Sequence, residues 1–289
     1  MTSIQILRAG PLATLQDEGR FGMLKHGISA SGPMDGSAFR LAGSMLERAG
    51  STGIEFTAAG LSFRAEGAVK VAGAGGAFVV TIQGRAVAWP ARLELDAGDV
   101  VDIAPGPAGN YGYLRFDHEI DIAPVLGSRS TNVTVGLGGL DGRALRAGDS
   151  IGFAGPGRRV ETGQRGSGTG PIRVVWGLHA DRIDRQIRED FAQAVFAVSD
   201  KLDRMGVRLR DLGGVFAELR QLSLVSDAIV PGDIQILGDG TPIVLMRDHQ
   251  PTGGYPRIAT IVSADLDRFA QMRPGTEVRF QPVALEHLR

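Results

Sequence analysis

The sequence predicts a mainly β protein, built as two barrel-like domains with two or three short helices. Three observations carry this. Gly supplies 42 and Pro 14 of the 289 residues, about a fifth of the chain against a usual level of roughly 12%, and no Gly-X-Y period orders them. A pattern of small residue or Pro, then Gly, then Asp or Thr, then alternating apolar residues recurs along the chain. Stretches with the 3.6-residue apolar period of a helix are few. A hydrophobic fraction of 43% supplies a core, which a disordered chain lacks.

The recurring pattern stands at Ala97-Gly98-Asp99, Ala147-Gly148-Asp149, Pro231-Gly232-Asp233 and Pro274-Gly275-Thr276. Gly supplies a tight turn, and the period-2 run after it reads as a strand with one buried face. Further strands are expected at 68–72, 77–82, 111–116, 172–178 and 243–246. Between the first two, Gly73-Ala74-Gly75-Gly76 reads as a hairpin turn, as does Gly136-Leu137-Gly138-Gly139. Asp35 is placed to cap a helix over 37–48. A second helix is expected over 181–196, where Ile183, Ile187 and Phe191 form one stripe, and a third from near Ser263. The Gly- and Ser-rich stretch 163–171 reads as a linker. It divides an N-terminal β domain, 1–162, from a C-terminal β domain, 172–289.

Charge and cysteine content exclude several classes. The formal net charge is −1, from 31 basic and 32 acidic residues, so no nucleic-acid or membrane-surface partner is expected. With no Cys there is no disulfide, thiolate metal site or Cys nucleophile. Residues 1–10 lack the apolar run of an export signal, and a cytoplasmic location is expected. The five His show no metal-ligand spacing. Asp117-His118-Glu119 alternates faces on a strand, so no metal site is expected there either.

Three segments concentrate chemistry. The first runs from Gln16-Asp17-Glu18-Gly19-Arg20 to Ser31-Gly32-Pro33-Met34-Asp35, a polar loop of the long kind that tends to carry function. In the second, Arg247-Asp248-His249-Gln250-Pro251-Thr252-Gly253-Gly254-Tyr255-Pro256 follows an apolar strand, which is how β scaffolds present a site. The third, Leu126-Gly127-Ser128-Arg129-Ser130-Thr131, sets a guanidinium beside hydroxyls, suited to a carboxylate or phosphate.

At these segments the sequence resembles a known family, the allophanate hydrolase subunit 2 or KipA-type proteins. These are also called 5-oxoprolinase C subunits or biotin-dependent carboxyltransferase family proteins. The resemblance continues through Gly142 to Asp149, Arg204-Met205-Gly206-Val207-Arg208-Leu209, Gly232-Asp233-Ile234-Gln235 and Gly253-Gly254-Tyr255-Pro256. It implies a cyclophilin-like β-barrel architecture. It also implies a role as the C subunit in an ATP-dependent complex that cleaves 5-oxoproline to glutamate, with a KipI-type protein as its B component and a LamB/YcsF-type protein as its A component. ATP would enter through the complex, and the chain alone would be inactive.

By the same resemblance the site residues are Asp248, Arg129 and Asp35 as catalytic groups, with Asp17, Arg20, Ser130, Gln250, Gly253, Gly254 and Tyr255 binding a small cyclic amide. Arg129 would hold a carboxylate or phosphate, and Asp248 would be the acid/base or orienting group. Two other functions fit the family. One is a biotin-dependent carboxyltransferase component of the urea carboxylase or allophanate type. The chain has three Lys, 25, 70 and 201, none in a Met-Lys-Met setting, so it does not itself carry biotin. The other is a non-catalytic, KipA-like antagonist of a KipI-type kinase inhibitor. At 117–120 the chain reads Asp-His-Glu-Ile where the family reads Ala-Gly-Gly-Ile. That exchange sets ionisable side chains where glycine lets backbone approach a ligand, and it leaves the choice of cyclic amide open.

Overall fold

A computed structural model of the chain describes residues 2–159, 168–219, 224–284 and 286. It divides into two compact units, Met1–Phe21 with Ser31–Arg165, and Gly22–Ala30 with Gly166–Arg289. Most of the expected linker, 163–167, lies outside the described residues. From Gly170 the chain is tied down, because Arg268 donates to the carbonyls of Gly170 and Pro171 at 2.6 and 2.8 Å. The architecture is mainly β, with a half-barrel and a nearly closed barrel as its sheets.

The first unit is a ten-stranded sheet with two long strands as its spine, Val69–Ile82 and Val100–Phe116, paired antiparallel. Across it run His118–Ile120, Ser150–Pro156, Ser3–Ala9, Leu61–Ala65, Val100–Phe116, Gly53–Thr57 and Thr14–Gln16 in that spatial order. Its core is a fully buried set that includes Ile4, Ile54, Phe56, Phe63, Val71, Ile103 and Phe116.

The spine corrects one expectation. Gly73–Gly76 is no hairpin turn; it lies inside a 14-residue strand. The reason is steric. A Cβ at Gly73 would collide with the Trp89 ring, and one at Gly75 would stand 2.5 Å from the Tyr111 carbonyl oxygen. Gly75 has φ +108°, and the pairing slips between Gly75 and Ala77. The glycines therefore admit a β-bulge and an aromatic cluster, Trp89 with Phe56 and Phe78 in edge contact. The other expected turn, Gly136–Gly139, is shifted: the hairpin turn covers 133–136 and closes where Asn132 pairs with Leu137, while Gly136, Gly138 and Gly139 all have positive φ.

The second unit holds an eight-stranded sheet in the order Glu277–Val278, Phe196–Leu202, Gly206–Asp211, Pro242–Leu245, Asp233–Ile236, Arg257–Ile261, Ile172–Trp176 and Phe280–Pro282. The last pair is parallel and the others are antiparallel. Alternation fixes the faces: Val207, Leu209, Ile234, Ile236 and Val244 are buried, while Arg208 and Ile243 stay partly exposed. Phe191, Phe196, Phe216 and Phe280 form one aromatic cluster, with Phe191 stacked on Phe280 and Phe196 on Phe216.

Three α-helices are described. α1, Gly36–Ser44, is capped as expected, Asp35 accepting from the Ala38 amide at 2.8 Å. α2, Arg185–Gln193, starts later than predicted because Asp184 is its cap, and it ends where the strand from Phe196 begins. α3 spans Ser263–Ala270. No described helix is long and apolar enough to cross a membrane.

Gly73→Ala should destabilise the protein by about 1–3 kcal/mol through overpacking against Trp89. The loss should shrink sharply in a Trp89→Leu background, as urea unfolding of the four members of the cycle would show.

Candidate functional site

The expected site residues fall into two groups, one in each unit. In the first unit, Asp17 leaves the strand Thr14–Gln16 and meets a tight turn at 125–128. Val125 and Ser128 exchange backbone hydrogen bonds at 2.8 and 3.3 Å, and the two residues between them, Leu126 and Gly127, have φ +52° and +82°. That is the geometry of a two-residue hairpin turn with both central residues left-handed.

Asp17 is the hub of this group. Its carboxylate accepts from Ser128 Oγ at 2.6 Å, Ser130 Oγ at 2.7 Å, the Arg129 amide at 2.6 Å and the Gly19 amide at 3.0 Å. Burial pushes its pKa up, but the donors from Ser128, Ser130, Arg129 and Gly19 outweigh burial and hold it below the ordinary carboxylate value. Arg20, 1% exposed, donates to the carbonyls of Val125, Ser128 and Ser130 at 2.9, 3.2 and 3.0 Å. Asp17, Arg20, Arg129 and Ser130 are thus brought together, as a knot that fastens one loop to another.

Two members look outward or elsewhere. Arg129 spends Nε on the Ile122 carbonyl at 2.7 Å; burial raises the pKa of Glu119, but the Ser51 and Thr52 donors, with a smaller contribution from the Arg129 charge, hold it below the ordinary value. Asp35 caps α1, and its amide donates to the buried Tyr113 hydroxyl at 2.8 Å, which in turn donates to Glu55 at 2.9 Å. Glu119 is no ligand-facing intruder. It accepts from the Ser51 amide and hydroxyl, both at 2.7 Å, and from the Thr52 amide at 3.2 Å. His118 is held by Asp117 at 2.8 Å.

In the second unit, Asp248 is engaged through both oxygens by Arg204, at 2.8 and 3.1 Å, with both side chains almost wholly buried. This geometry suits an orienting group, since the pair fixes the start of the loop that carries Gln250 and Tyr255. His249 donates to the Gln250 carbonyl at 2.6 Å, and burial lowers its pKa. Gln250 and Tyr255 line a cleft of about 500 Å³ together with Lys201, Arg208, Gln235 and Ile243. Gly253 stands against the floor of that cleft, for a Cβ there would come within 2.5 Å of Gln235 Nε2. The Gly254 carbonyl accepts from the Leu224 amide at 2.8 Å.

Gln235 is the residue that sequence reasoning missed. It is 1% exposed, and its Nε2 has no hydrogen-bond partner among the described residues. The signal was present: in Asp233-Ile234-Gln235-Ile236 the apolar residues alternate with two polar ones, which sets Gln235 on the face opposite the core. No group of three or more potential metal ligands occurs among the described residues.

Asp17→Asn should cost about 1–3 kcal/mol at neutral pH, since an amide cannot accept from all four donors. With a folded pKa below the unfolded one, Asp17 stabilises the protein above the ordinary carboxylate value and loses that contribution as pH falls through the folded value. The Asn variant should therefore show a flatter loss of stability below about pH 4 in acid titrations of unfolding.

The chain matches the family described as carboxyltransferase domain, subdomain A and B, over residues 26–282. It is 34% identical to the 5-oxoprolinase C subunit of Escherichia coli (strain K12), covering 98% of this chain and 92% of that protein. With the 5-oxoprolinase C subunit of Haemophilus influenzae it shares 32% identity at the same coverage. It is also 28% identical to urea amidolyase of Saccharomyces cerevisiae, of which it spans 17%. The structure of the K. lactis urea amidolyase superposes with a TM-score of 0.86 over 98% of this chain and 19% of that one, at 24% identity, which speaks for the fold alone. On the extent of these matches, the chain belongs to the carboxyltransferase domain family, subdomains A and B, and is a relative of the 5-oxoprolinase C subunits.

Proposed function

We propose that this chain is the C subunit in an ATP-dependent 5-oxoprolinase-type complex, acting with a KipI-type B component and a LamB/YcsF-type A component to open a cyclic amide. The observation that carries this reading is the near full-length similarity to two proteins named as the C subunit in 5-oxoprolinase. The cleft of the second unit supports it, because it is of small-molecule size, and Gln250 and Tyr255 line it. In the overall reaction the lactam C–N bond breaks, water supplies the new carboxylate oxygen, the nitrogen takes a proton, and ATP hydrolysis drives the step.

ATP would be held by the partners. Neither glycine-rich segment fits phosphates: Gly73–Gly76 is inside a strand, and the amides of Leu137 and Gly139 already donate to Asn132 and Arg129 carbonyls. The role of this chain is to bind and orient the cyclic amide. Biotin-dependent carboxyl transfer is the second reading, favoured by the similarity to urea amidolyase.

The complex reassembled from this chain and its KipI-type and LamB/YcsF-type partners should convert 5-oxoproline to glutamate only when ATP is present. A well-folded complex that forms no glutamate would remove the leading reading, and dependence on an added biotinylated carrier would favour the second. Tyr255, 42% exposed, can be shortened without opening the core. Tyr255→Ala should lower kcat/KM of the complex about ten-fold or more, while the melting temperature stays within about 2 °C.

A further inference from the structure

Buried amides without partners are costly. A polar group taken out of water with no hydrogen bond loses about 1–3 kcal/mol, so native chains rarely retain one. Gln235 retains one inside the floor of a cleft. No hydrogen bond to its side chain is formed among the described residues, and Gly253 leaves just enough room for the carboxamide.

Strand register shows what stands beside it. Gln235 is paired with Ile243, and Ile243 with Arg208 on the next strand. Directly paired residues share a face, and neighbouring strands are about 4.8 Å apart. The cleft floor therefore reads, in one row, carboxamide, aliphatic side chain, guanidinium. On the other side of Gln235, Arg257 is neutralised by Asp227 at 2.8 Å and Asp233 at 3.3 Å. Arg208 and Lys201 have no such partner: neither forms an ion pair or a side-chain hydrogen bond among the described residues. Both stand where this cleft meets a second one of about 470 Å³. Of the carboxylates on the wall, Asp203 is taken up by the amides of Met205 and Gly206, which leaves Asp200 against two cations. In the second cleft Asp239 feels the charge of Arg208 but is held by the Thr241 amide at 2.9 Å.

We infer that this cleft recognises a small ring carrying both a cis amide and a carboxylate, with Gln235 reading the amide edge, Ile243 under the ring and Arg208 with Lys201 holding the carboxylate. A ring amide is held cis, so its N–H and C=O lie side by side on one edge. A carboxamide offers the matching acceptor and donor in the same arrangement. An open-chain trans amide cannot present both at once. The carboxylate requirement separates this ligand from an uncharged urea or ureido ring, which has the edge but nothing for Arg208. This inference rests on the function proposed above, and it adds which residues select the substrate.

The test uses Gln235→Leu and Arg208→Met in the full complex. Because the Gln235 amide nitrogen has no hydrogen-bond partner among the described residues, Gln235→Leu should leave the melting temperature unchanged or raise it. It should still raise KM for 5-oxoproline about ten-fold or more, as expected for loss of a buried hydrogen bond to substrate. Arg208→Met should raise KM similarly. Inhibition by 2-pyrrolidinone, which has the amide edge without a carboxylate, should weaken in Gln235→Leu and not in Arg208→Met. Unchanged KM in both variants of an active complex overturns the inference. An inactive wild-type complex overturns the proposed function instead. The inference is then decided by NMR titration of the full chain with L-5-oxoproline, 2-pyrrolidinone and L-proline: binding of the first that Gln235→Leu abolishes supports it, and no binding, or binding indifferent to the substitution, overturns it.

Discussion

The structure depends on two buried guanidinium groups, each of which gathers polar partners from a segment distant in sequence. A buried ion left unpaired costs several kcal/mol, so such a group permits very few loop arrangements. Arg20 in the first unit and Arg204 in the second are these groups. Arg20 gathers three carbonyls from the 125–130 turn, and Arg204 takes both oxygens of Asp248. Each joins segments far apart in sequence, over 100 residues in the first case. Their worth lies less in net stability, which a buried pair supplies poorly, than in leaving each loop one conformation.

That distinction recasts the polar residues of the chain. Asp17, Ser130 and Asp35 are the kind that sequence reasoning assigns to chemistry, yet their hydrogen bonds are spent on loops and a helix start. Gln235, by contrast, spends none. The inferred ligand site therefore starts from a group with unmet hydrogen-bonding capacity, Gln235, and not from a reactive side chain.

Much of the fold could be read from residue order. Asp35 announced α1, and the Gly-Asp turns announced the strands from Val100, Ser150 and Asp233. What escaped were features set by tertiary partners. Gly73–Gly76 carries the residues of a turn, and only its tertiary neighbours, the Trp89 ring at Gly73 and the Tyr111 carbonyl at Gly75, explain why it is none. Glu119 looked like a group able to face a ligand, and only its proximity to Ser51 and Thr52 shows it capping a bend. Gln250 and Tyr255, singled out because they follow a strand into a Gly-Gly turn, line the cleft of the second unit. Alternation hinted at the face of Gln235, but that it shares a row with Arg208 shows only in the register of three strands.

The strand order has a consequence for how the protein is made. In each unit the strand that comes first along the main run of chain pairs with one that comes near its end: Ser3–Ala9 with Ser150–Pro156, and Ile172–Trp176 with Phe280–Pro282. A ribosome delivers these partners more than a hundred residues apart, at about 5–20 residues per second. For seconds, the strand holding Ile4 and Ile6 waits with an open edge of the kind that invites pairing with another chain. The time at which the nascent chain is most at risk is thus written into the topology itself, before any packing is complete.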